Sequence, residues 1–302
     1  MTERLTPEEM KEIASRFAGL MRLLTHDGEA ERPAELRDLL IDRLRDALDR
    51  RLPSMGNGEA GFIGNSFLVE AVIHSNTRTV VTRMRHRDLG SWHVMKTLSA
   101  HHVNDAMART ILLREARVGM ALRHPNLMAV ECSFRLPDGC PAIIMEWAGA
   151  SLSQRLSMRS VSVADIRQVM TSLLRGLHSM HTAGYVHGDI SAANLLICDD
   201  DFERLKIADF GSAIEAGKRY RDLDVAKAAT PGFAAPELAS DKAADPRSDL
   251  YSAGCVMKLL LEHCHQAHDP NPLTDISTRL ADPDVSRRPL NAMAALELFE
   301  RK

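Results

Sequence analysis

The sequence predicts an α+β fold in which a sheet-forming region lies between two helical regions. Strand-like apolar runs occur between residues 67 and 148, whereas helical periodicity marks residues 6 to 48 and 162 to 180. A length of 302 residues suits one two-lobed domain with an appendage, or two domains.

Composition narrows the class of protein. A formal net charge of −3 argues against a dedicated nucleic-acid surface. The five cysteines are scattered and form no CxxC pair, which indicates reduced thiols and a cytoplasmic location. The charged N-terminus is unlike a signal peptide, and no apolar run approaches the roughly 18 residues of a membrane span. We therefore expect neither nucleic-acid binding nor membrane insertion.

Residues 1–62 are predicted to form a helical hairpin and a linker. Thr6, Pro7 and Glu9 have the pattern of a helix start, and apolar residues then recur at helical spacing in two segments. Because two amphipathic helices bury little alone, we expect their apolar faces to dock on the main domain, on a second copy or on another protein. The literal GxGxxG match from Gly56 to Gly61 follows no strand and is interpreted as flexible linker.

Residues 67–148 contain a predicted hairpin, a third strand and a helix. The hairpin strands cover 67–73 and 80–84, and the third strand, 92–96, ends in Lys96. A helix over 106–122 carries Glu115 near its middle, and a buried strand at 143–147 leads to the second half of the chain.

Two polar loops carry the candidate chemistry. Asp189 and Asn194 lie five residues apart in the first loop, and Asp209 follows Asn194 by fifteen residues, behind an apolar run. Either loop alone has the composition of an ordinary turn. Together they supply one carboxylate to orient a hydroxyl, and an amide and a second carboxylate to hold Mg²⁺, which is the minimum set for phosphoryl transfer from ATP.

These loops, with Lys96 and Glu115, resemble the catalytic loop, metal loop and lysine–glutamate pair of eukaryotic-like serine/threonine protein kinases. The segment from Thr230 to Glu237 resembles the Thr-Pro-x-Tyr-x-Ala-Pro-Glu block of that family. Asp249 matches the aspartate that braces the catalytic loop, and Arg288 matches the arginine that pairs with the glutamate of this block, here Glu237. The resemblance covers residues 67 to 300 and points to a bacterial member.

The resemblance implies a two-lobed protein-kinase-like fold, with a small antiparallel-sheet lobe at 67–148 and a larger helical lobe at 149–302. The kinase domain is thus predicted at 63–302, after the extension at 1–62. It implies transfer of the γ-phosphoryl group of ATP to serine or threonine hydroxyls of a protein substrate.

The resemblance also implies residue roles. Asp189 would orient or deprotonate the substrate hydroxyl, and Asn194 and Asp209 would hold Mg²⁺. Lys96, fixed by Glu115, would hold the α- and β-phosphates. The other nucleotide contacts implied are Ile73, Asn76, Val81, Met145, Glu146, Ala148 and Leu196.

Three departures from the family pattern bear on activity. The glycines of the phosphate-binding loop are replaced by His74, Asn76 and Thr79, so we expect the loop to hold phosphates less closely. Gly188 stands where the family has an arginine that reads a phosphate on the following segment. Ser191 stands where serine/threonine kinases carry a lysine, which removes a cation from the transition state.

Three alternative functions remain open. A pseudokinase that serves as a scaffold would explain the altered loops. A small-molecule phosphotransferase of the aminoglycoside type shares the His-Gly-Asp form of the loop. A tyrosine kinase is suggested by the small residues 191–193 and disfavoured by the block that begins at Thr230.

Overall fold

The computed structural model describes residues 6–51, 62–63, 66–223, 230–239, 242–265 and 272–300. The glycine-rich stretch from Gly56 to Gly61 lies outside the described residues. The chain divides into two units, Met1–Val69 and Glu70–Lys302.

The first unit contains both predicted helices. Helix α1 (Pro7–Thr25) begins at Thr6, whose hydroxyl accepts a hydrogen bond from Glu9 N, while the Glu9 carboxylate accepts one from Thr6 N at 2.7 Å. Strands β1 (His26–Asp27) and β2 (Ala30–Glu31) form a short antiparallel ribbon between the two helices of the predicted hairpin. Helix α2 (Ala34–Arg51) and strand β3 (Phe62–Ile63) follow, and β3 pairs with residues 67–68.

The second unit begins within a sheet that includes Lys96. Its strands, in chain order, are β4 (Phe67–Ser75, which starts in the first unit), β5 (Thr79–His86), β6 (Trp92–Leu98), β7 (Val130–Arg135) and β8 (Pro141–Glu146). Their spatial order is β4-β5-β6-β8-β7. Lys96 lies on the central strand, opposite Val81 on β5 and Ile143 on β8, and β6 extends to Leu98 rather than ending at Lys96.

Helix α3 (Ala106–Ala121) connects β6 to β7. Asp105 caps its start by accepting hydrogen bonds from Met107 N and Ala108 N. The buried side of α3 includes Leu112, Glu115 and Gly119, so the helix directs a carboxylate into the interior.

The remainder of the second unit is mainly helical. Its helices are α4 (Leu152–Met158), α5 (Val163–Thr182), α6 (Arg247–Glu262), α7 (Pro272–Leu280) and α8 (Ala292–Glu300). Short strands between them are β9 (Ala150–Ser151), β10 (Tyr185–Val186), β11 (Leu195–Ile197), β12 (Leu205–Ile207) and β13 (Ile214–Glu215). Strands β12, β11 and β9 form one sheet, and β10 pairs with β13. No helix within the described ranges combines the length and apolar character needed to cross a membrane.

Helix α5 is the buried centre of this helical part. It begins at Ser162, which shares reciprocal hydrogen bonds with Asp165 as a capping box. Its predicted apolar stripe is fully buried, comprising Ile166, Val169, Met170, Leu173, Leu174, Leu177 and Met180. The helical periodicity noted over residues 162–180 thus corresponds to a helix whose apolar side is core.

We predict that Gly254→Ala destabilises the second unit by about 1–3 kcal/mol because the added methyl group overpacks a tight contact. A Cβ at Gly254 would lie 2.5 Å from the backbone nitrogen of Ala281, just beyond α7. Urea denaturation measures the change. The matched variant is Gly19→Ala in α1, where a Cβ meets nothing within 4 Å and should not destabilise the protein. Equal stability of Gly254→Ala and wild type would contradict the packing account.

Candidate active site

The loop between β10 and β11 is held by a buried carboxylate on α6. Asp249 Oδ2 accepts a hydrogen bond from His187 N at 2.8 Å, and Oδ1 accepts one from Gly188 N at 2.9 Å. Burial by itself raises the pKa of Asp249, but the contact with His181 Nε2 at 2.8 Å helps to hold that pKa below its usual value. The predicted bracing role of Asp249 is confirmed.

Within this loop, Asp189 and Asn194 contact each other directly. Asn194 Nδ2 donates to the backbone oxygen of Asp189 at 2.8 Å and to its Oδ2 at 3.0 Å. Asp189 Oδ1 accepts from the backbone nitrogen and the hydroxyl of Thr230, at 2.8 and 2.7 Å. Nothing in the sequence indicated the contact between Thr230 and Asp189, which joins residues 41 positions apart.

The second predicted loop adjoins the first. Ala208 N donates to Asn194 O at 2.8 Å, and β11 pairs with β12 through Leu195 and Ile207. Asp209 therefore follows a strand that is hydrogen-bonded next to Asn194. Its backbone is left-handed, with φ 64° and ψ 77°, and its side chain accepts from Gly211 N at 3.2 Å.

Lys96 joins the sheet, helix α3 and the second loop. Its Nζ lies 2.8 Å from Glu115 Oε1 and 2.9 Å from Asp209 Oδ1. Burial alone lowers the pKa of Lys96, but attraction to Asp209 and Glu115 outweighs burial and raises it. The ammonium group of Lys96 likewise lowers the pKa of Asp209. The site therefore holds a positively charged lysine beside an ionised aspartate.

The oxygen atoms beside Lys96 suit a hard divalent cation. Among the residues that the structure describes, none donates a hydrogen bond to Asp209 Oδ2 or to Asn194 Oδ1. A carboxylate oxygen and an amide oxygen are the ligand types that Mg²⁺ takes in proteins. The predicted donor pair fits the ion by its chemistry.

The predicted nucleotide contacts differ in burial and in whether their polar groups are already engaged. Val81 and Leu196 are half-buried and pack on the main apolar cluster, which includes Met145 and Ala148. Ile73 is exposed on β4. The carboxylate of Glu146 is occupied, because its Oε1 accepts from Ala129 N at 2.6 Å and from Lys206 Nζ at 2.8 Å. The backbone nitrogen of Glu146 is engaged as well, since it donates to Ala129 O at 3.1 Å, so a ligand contact at Glu146 would fall on its backbone carbonyl.

Asn76 closes the turn that replaces the glycine-rich loop. Its Oδ1 accepts hydrogen bonds from Arg78 N at 2.9 Å and from Thr79 N at 2.8 Å. Ser99 anchors the same turn, since its backbone nitrogen donates to Arg78 O and its hydroxyl to Thr77 O. Two amide groups of the loop are therefore already engaged within the turn. The expected weaker hold on phosphates stays a prediction.

The predicted pair between Glu237 and Arg288 is present. Arg288 Nη1 and Nη2 lie 2.6 and 2.8 Å from the two carboxylate oxygens of Glu237, and the arginine side chain is fully buried. Burial by itself raises the pKa of Glu237, but hydrogen bonds from Arg288 and Ser248 outweigh it and lower that pKa. This bidentate pair ties the segment before α6 to the segment before α8.

Known proteins with similar sequences or folds share one kind of domain. The family model for the protein kinase domain matches residues 72–284. Serine/threonine-protein kinase PknJ of Mycobacterium tuberculosis is 30% identical over 205 residues, which cover 67% of this chain and 35% of PknJ. PknL of the same species is 30% identical over 232 residues, covering 76% of this chain and 57% of PknL. Beta-adrenergic receptor kinase 1 of Didelphis virginiana is 28% identical over 228 residues, covering 72% and 32%.

The chain spans between 32% and 57% of the length of these relatives. The crystal structure of the Mycobacterium tuberculosis PknI kinase domain superimposes with a TM-score of 0.63 at 19% identity, covering 81% of this chain and 99% of that one. This likeness confirms the predicted fold.

We predict that Glu237→Gln lowers the free energy of unfolding by about 3–5 kcal/mol at pH 7, because the buried Arg288 guanidinium loses its counterion. A lowered pKa in the folded state means that the pair stabilises fully above pH 4.5, the usual pKa of glutamate, and stops doing so as the pH falls. The difference from wild type should therefore shrink below that pH.

Urea denaturation at a series of pH values between 7 and 3 measures this difference, with Glu262→Gln at the exposed end of α6 as the control. A difference that stays constant down to pH 3 would show that ionised Glu237 does not stabilise the fold.

Proposed function

Since this chain belongs to the protein kinase family, whose members use ATP and a divalent metal ion, we propose that it transfers the γ-phosphoryl group of ATP to serine or threonine hydroxyls of a protein substrate. The observation that carries this proposal is the contact of Lys96 Nζ with both Glu115 and Asp209, at 2.8 and 2.9 Å. We assign residues 63–302 to the kinase domain, with lobes at 67–148 and 149–302, and residues 1–62 to an extension.

Asp189 is the proposed base and orienting group for the substrate hydroxyl. Its carboxylate is steered by Asn194 on one oxygen and by Thr230 on the other. A carboxylate fixed in this way can accept the proton of a hydroxyl that lies within hydrogen-bond reach. Thr230 begins the block that resembles the family's serine/threonine type, which supports these hydroxyls over tyrosine as acceptors.

The remaining polar groups would handle the phosphates and the metal. Asn194 and Asp209 would hold Mg²⁺, which neutralises phosphate charge when it is bound. Lys96, oriented by Glu115, would place its ammonium group on the α- and β-phosphates. Because Lys96 and Glu115 are buried beside these groups, positioning and electrostatics would supply most of the rate enhancement.

Apolar residues from both lobes would enclose the adenine ring. The proposed lining residues are Ile73, Val81, Met145, Ala148 and Leu196. The backbone of Glu146 and Ala148 would meet the adenine edge, since the Glu146 carboxylate is engaged elsewhere. Asn76 would shape the turn over the phosphates.

The cysteines bear on the location of the protein, and the N-terminal helices bear on its partners. All five cysteines lie in the described part of the chain and are free thiols, which supports a reducing cytoplasmic environment. The N-terminal helices are a proposed site for a partner protein or for self-association.

We predict that Asp189→Asn lowers kcat by about 10²–10⁴-fold, because the hydroxyl loses its proton acceptor. Incorporation of radiolabelled phosphate into a generic protein substrate, followed by phosphoamino-acid analysis, measures the effect. Lys96→Ala should be similarly impaired. Asp138→Asn, in the turn between β7 and β8, is the matched control and should keep wild-type activity.

Equal labelling by wild type and Asp189→Asn would favour the scaffold alternative. Two features motivate that alternative: the amides engaged by Asn76, and Ser191, whose buried hydroxyl has no hydrogen-bond partner within the described part of the chain. Labelling of sugars or aminoglycosides in place of protein would favour a small-molecule phosphotransferase.

We predict that Asn76→Ala raises the KM for ATP by about three- to tenfold while kcat stays within about twofold, since the open turn must be ordered on binding. Steady-state kinetics and ATP-dependent thermal shifts measure this. Asn291→Ala, which removes a similar side-chain cap from Ala294 N at the start of α8, should leave the KM unchanged. An unaltered KM in Asn76→Ala would exclude the turn from nucleotide binding.

A further inference from the structure

The space that a side chain at residue 188 would need is occupied by the Tyr220 side chain. Gly188 has a left-handed backbone, with φ 78°, and a Cβ at this position would lie 1.9 Å from the hydroxyl oxygen of Tyr220. No side chain fits at residue 188 while Tyr220 keeps its place. The space next to the catalytic loop is therefore occupied by a phenol from the segment that follows Asp209.

The Tyr220 hydroxyl makes a specific contact in this space. It donates a hydrogen bond to Ser212 O at 3.0 Å, and the Tyr220 side chain is buried. Burial raises the pKa of Tyr220, so the phenol stays protonated and keeps its donor. Tyr220 thus satisfies a carbonyl that lies three residues beyond Asp209.

The preceding carbonyl is held from α3. Arg114 Nη2 donates to Gly211 O at 2.6 Å. Phe210, between these carbonyls and Asp209, is buried and packs edge-on against His187 with ring centres 5.9 Å apart. The carbonyls of two successive residues after Asp209, Gly211 and Ser212, are therefore held by hydrogen bonds from a cationic and a neutral donor respectively.

We propose that Tyr220 is a positioning residue that fixes the segment carrying Asp209 without any covalent modification, and that Gly188 is the residue that makes room for it. This inference rests on the proposed function, because Asp209 is taken there as a metal-holding residue. It explains the missing arginine: the contact that a phosphate and that arginine make in the family is replaced by a phenol and a carbonyl.

The distribution of hydroxyl groups supports this assignment. Between Phe210 and Glu237 the sequence contains Ser212, Tyr220 and Thr230 as its only hydroxyl residues. Ser212 and Tyr220 are buried, and Thr230 is bonded to Asp189. A phosphate on any of them would have to break the contacts that shape the site. The competing arrangement is a phosphate docked on Arg114, whose buried Nε and Nη1 have no hydrogen-bond partner among the residues that the structure describes.

The test uses the full chain, treated with a broad-specificity phosphatase and checked by intact mass. Three quantities are measured: kcat, the Mg²⁺ concentration for half-maximal rate, and amide hydrogen exchange of residues 209–220. Tyr220→Phe should lower kcat about three- to tenfold, the worth of one hydrogen bond. It should also raise the Mg²⁺ requirement and speed exchange in this segment.

Three further variants isolate the effect of the Tyr220 hydroxyl. Tyr185→Phe removes a phenol hydroxyl that has no hydrogen-bond partner among the described residues, and it should match wild type in all three measurements. Gly188→Ala should reproduce the defects of Tyr220→Phe. Combining Gly188→Ala with Tyr220→Ala should cost less than the product of the two single effects, since the second change removes the collision.

The proposal predicts that phosphatase treatment leaves wild-type kcat within about twofold. A loss of more than about tenfold, with phosphate found on the segment before treatment, would overturn it in favour of a phosphate docked on Arg114. Wild-type values for Tyr220→Phe in all three measurements would also overturn it. If the wild type shows no phosphoryl transfer, the proposed function fails, whereas hydrogen exchange still decides whether Tyr220 fixes the segment.

Discussion

The site depends on one buried ammonium group, that of Lys96. It comes from the central strand of the sheet, and its two carboxylate partners come from a helix and from a loop in the other lobe. A buried charge is stable only when it is paired, and removal of one partner costs about 3–5 kcal/mol. The sheet, helix α3 and the Asp209 loop therefore constrain one another, because displacing any of them would separate the Lys96 ammonium group from a carboxylate partner.

The loops around Lys96 are irregular backbone in a buried environment, so their amide groups need partners that regular structure does not provide. Asp249 supplies acceptors for two consecutive amides, and Ala208 N is taken by Asn194 O. The left-handed backbone of Asp209 costs on the order of 1–3 kcal/mol. Its pairing with Lys96 and the burial of the adjacent Phe210 offset this strain, which explains why a non-glycine residue is held there.

Features that follow from local chemistry or from a motif were predictable from the sequence. The caps at Thr6 and Ser162 depend on neighbouring residues, and the Lys96–Glu115 and Glu237–Arg288 pairs followed from their resemblance to family motifs. The contacts that could not be predicted from the sequence join distant residues whose types occur in many structural roles. Thr230 on Asp189 and Tyr220 against Gly188 depend on how the segment folds back, and a hydroxyl or a glycine carries no signal of its distant partner.

The exchange of an arginine for a glycine changes what can control the site. A phosphate held by arginine is a charged contact that enzymes can add and remove. A buried phenol bonded to a carbonyl is neutral, and its raised pKa, caused mainly by burial, keeps it neutral across the physiological pH range. Helix α3 connects two parts of the site, since its adjacent residues Arg114 and Glu115 contact Gly211 O and Lys96 respectively. A shift of α3 would release the lysine and the metal-loop segment together.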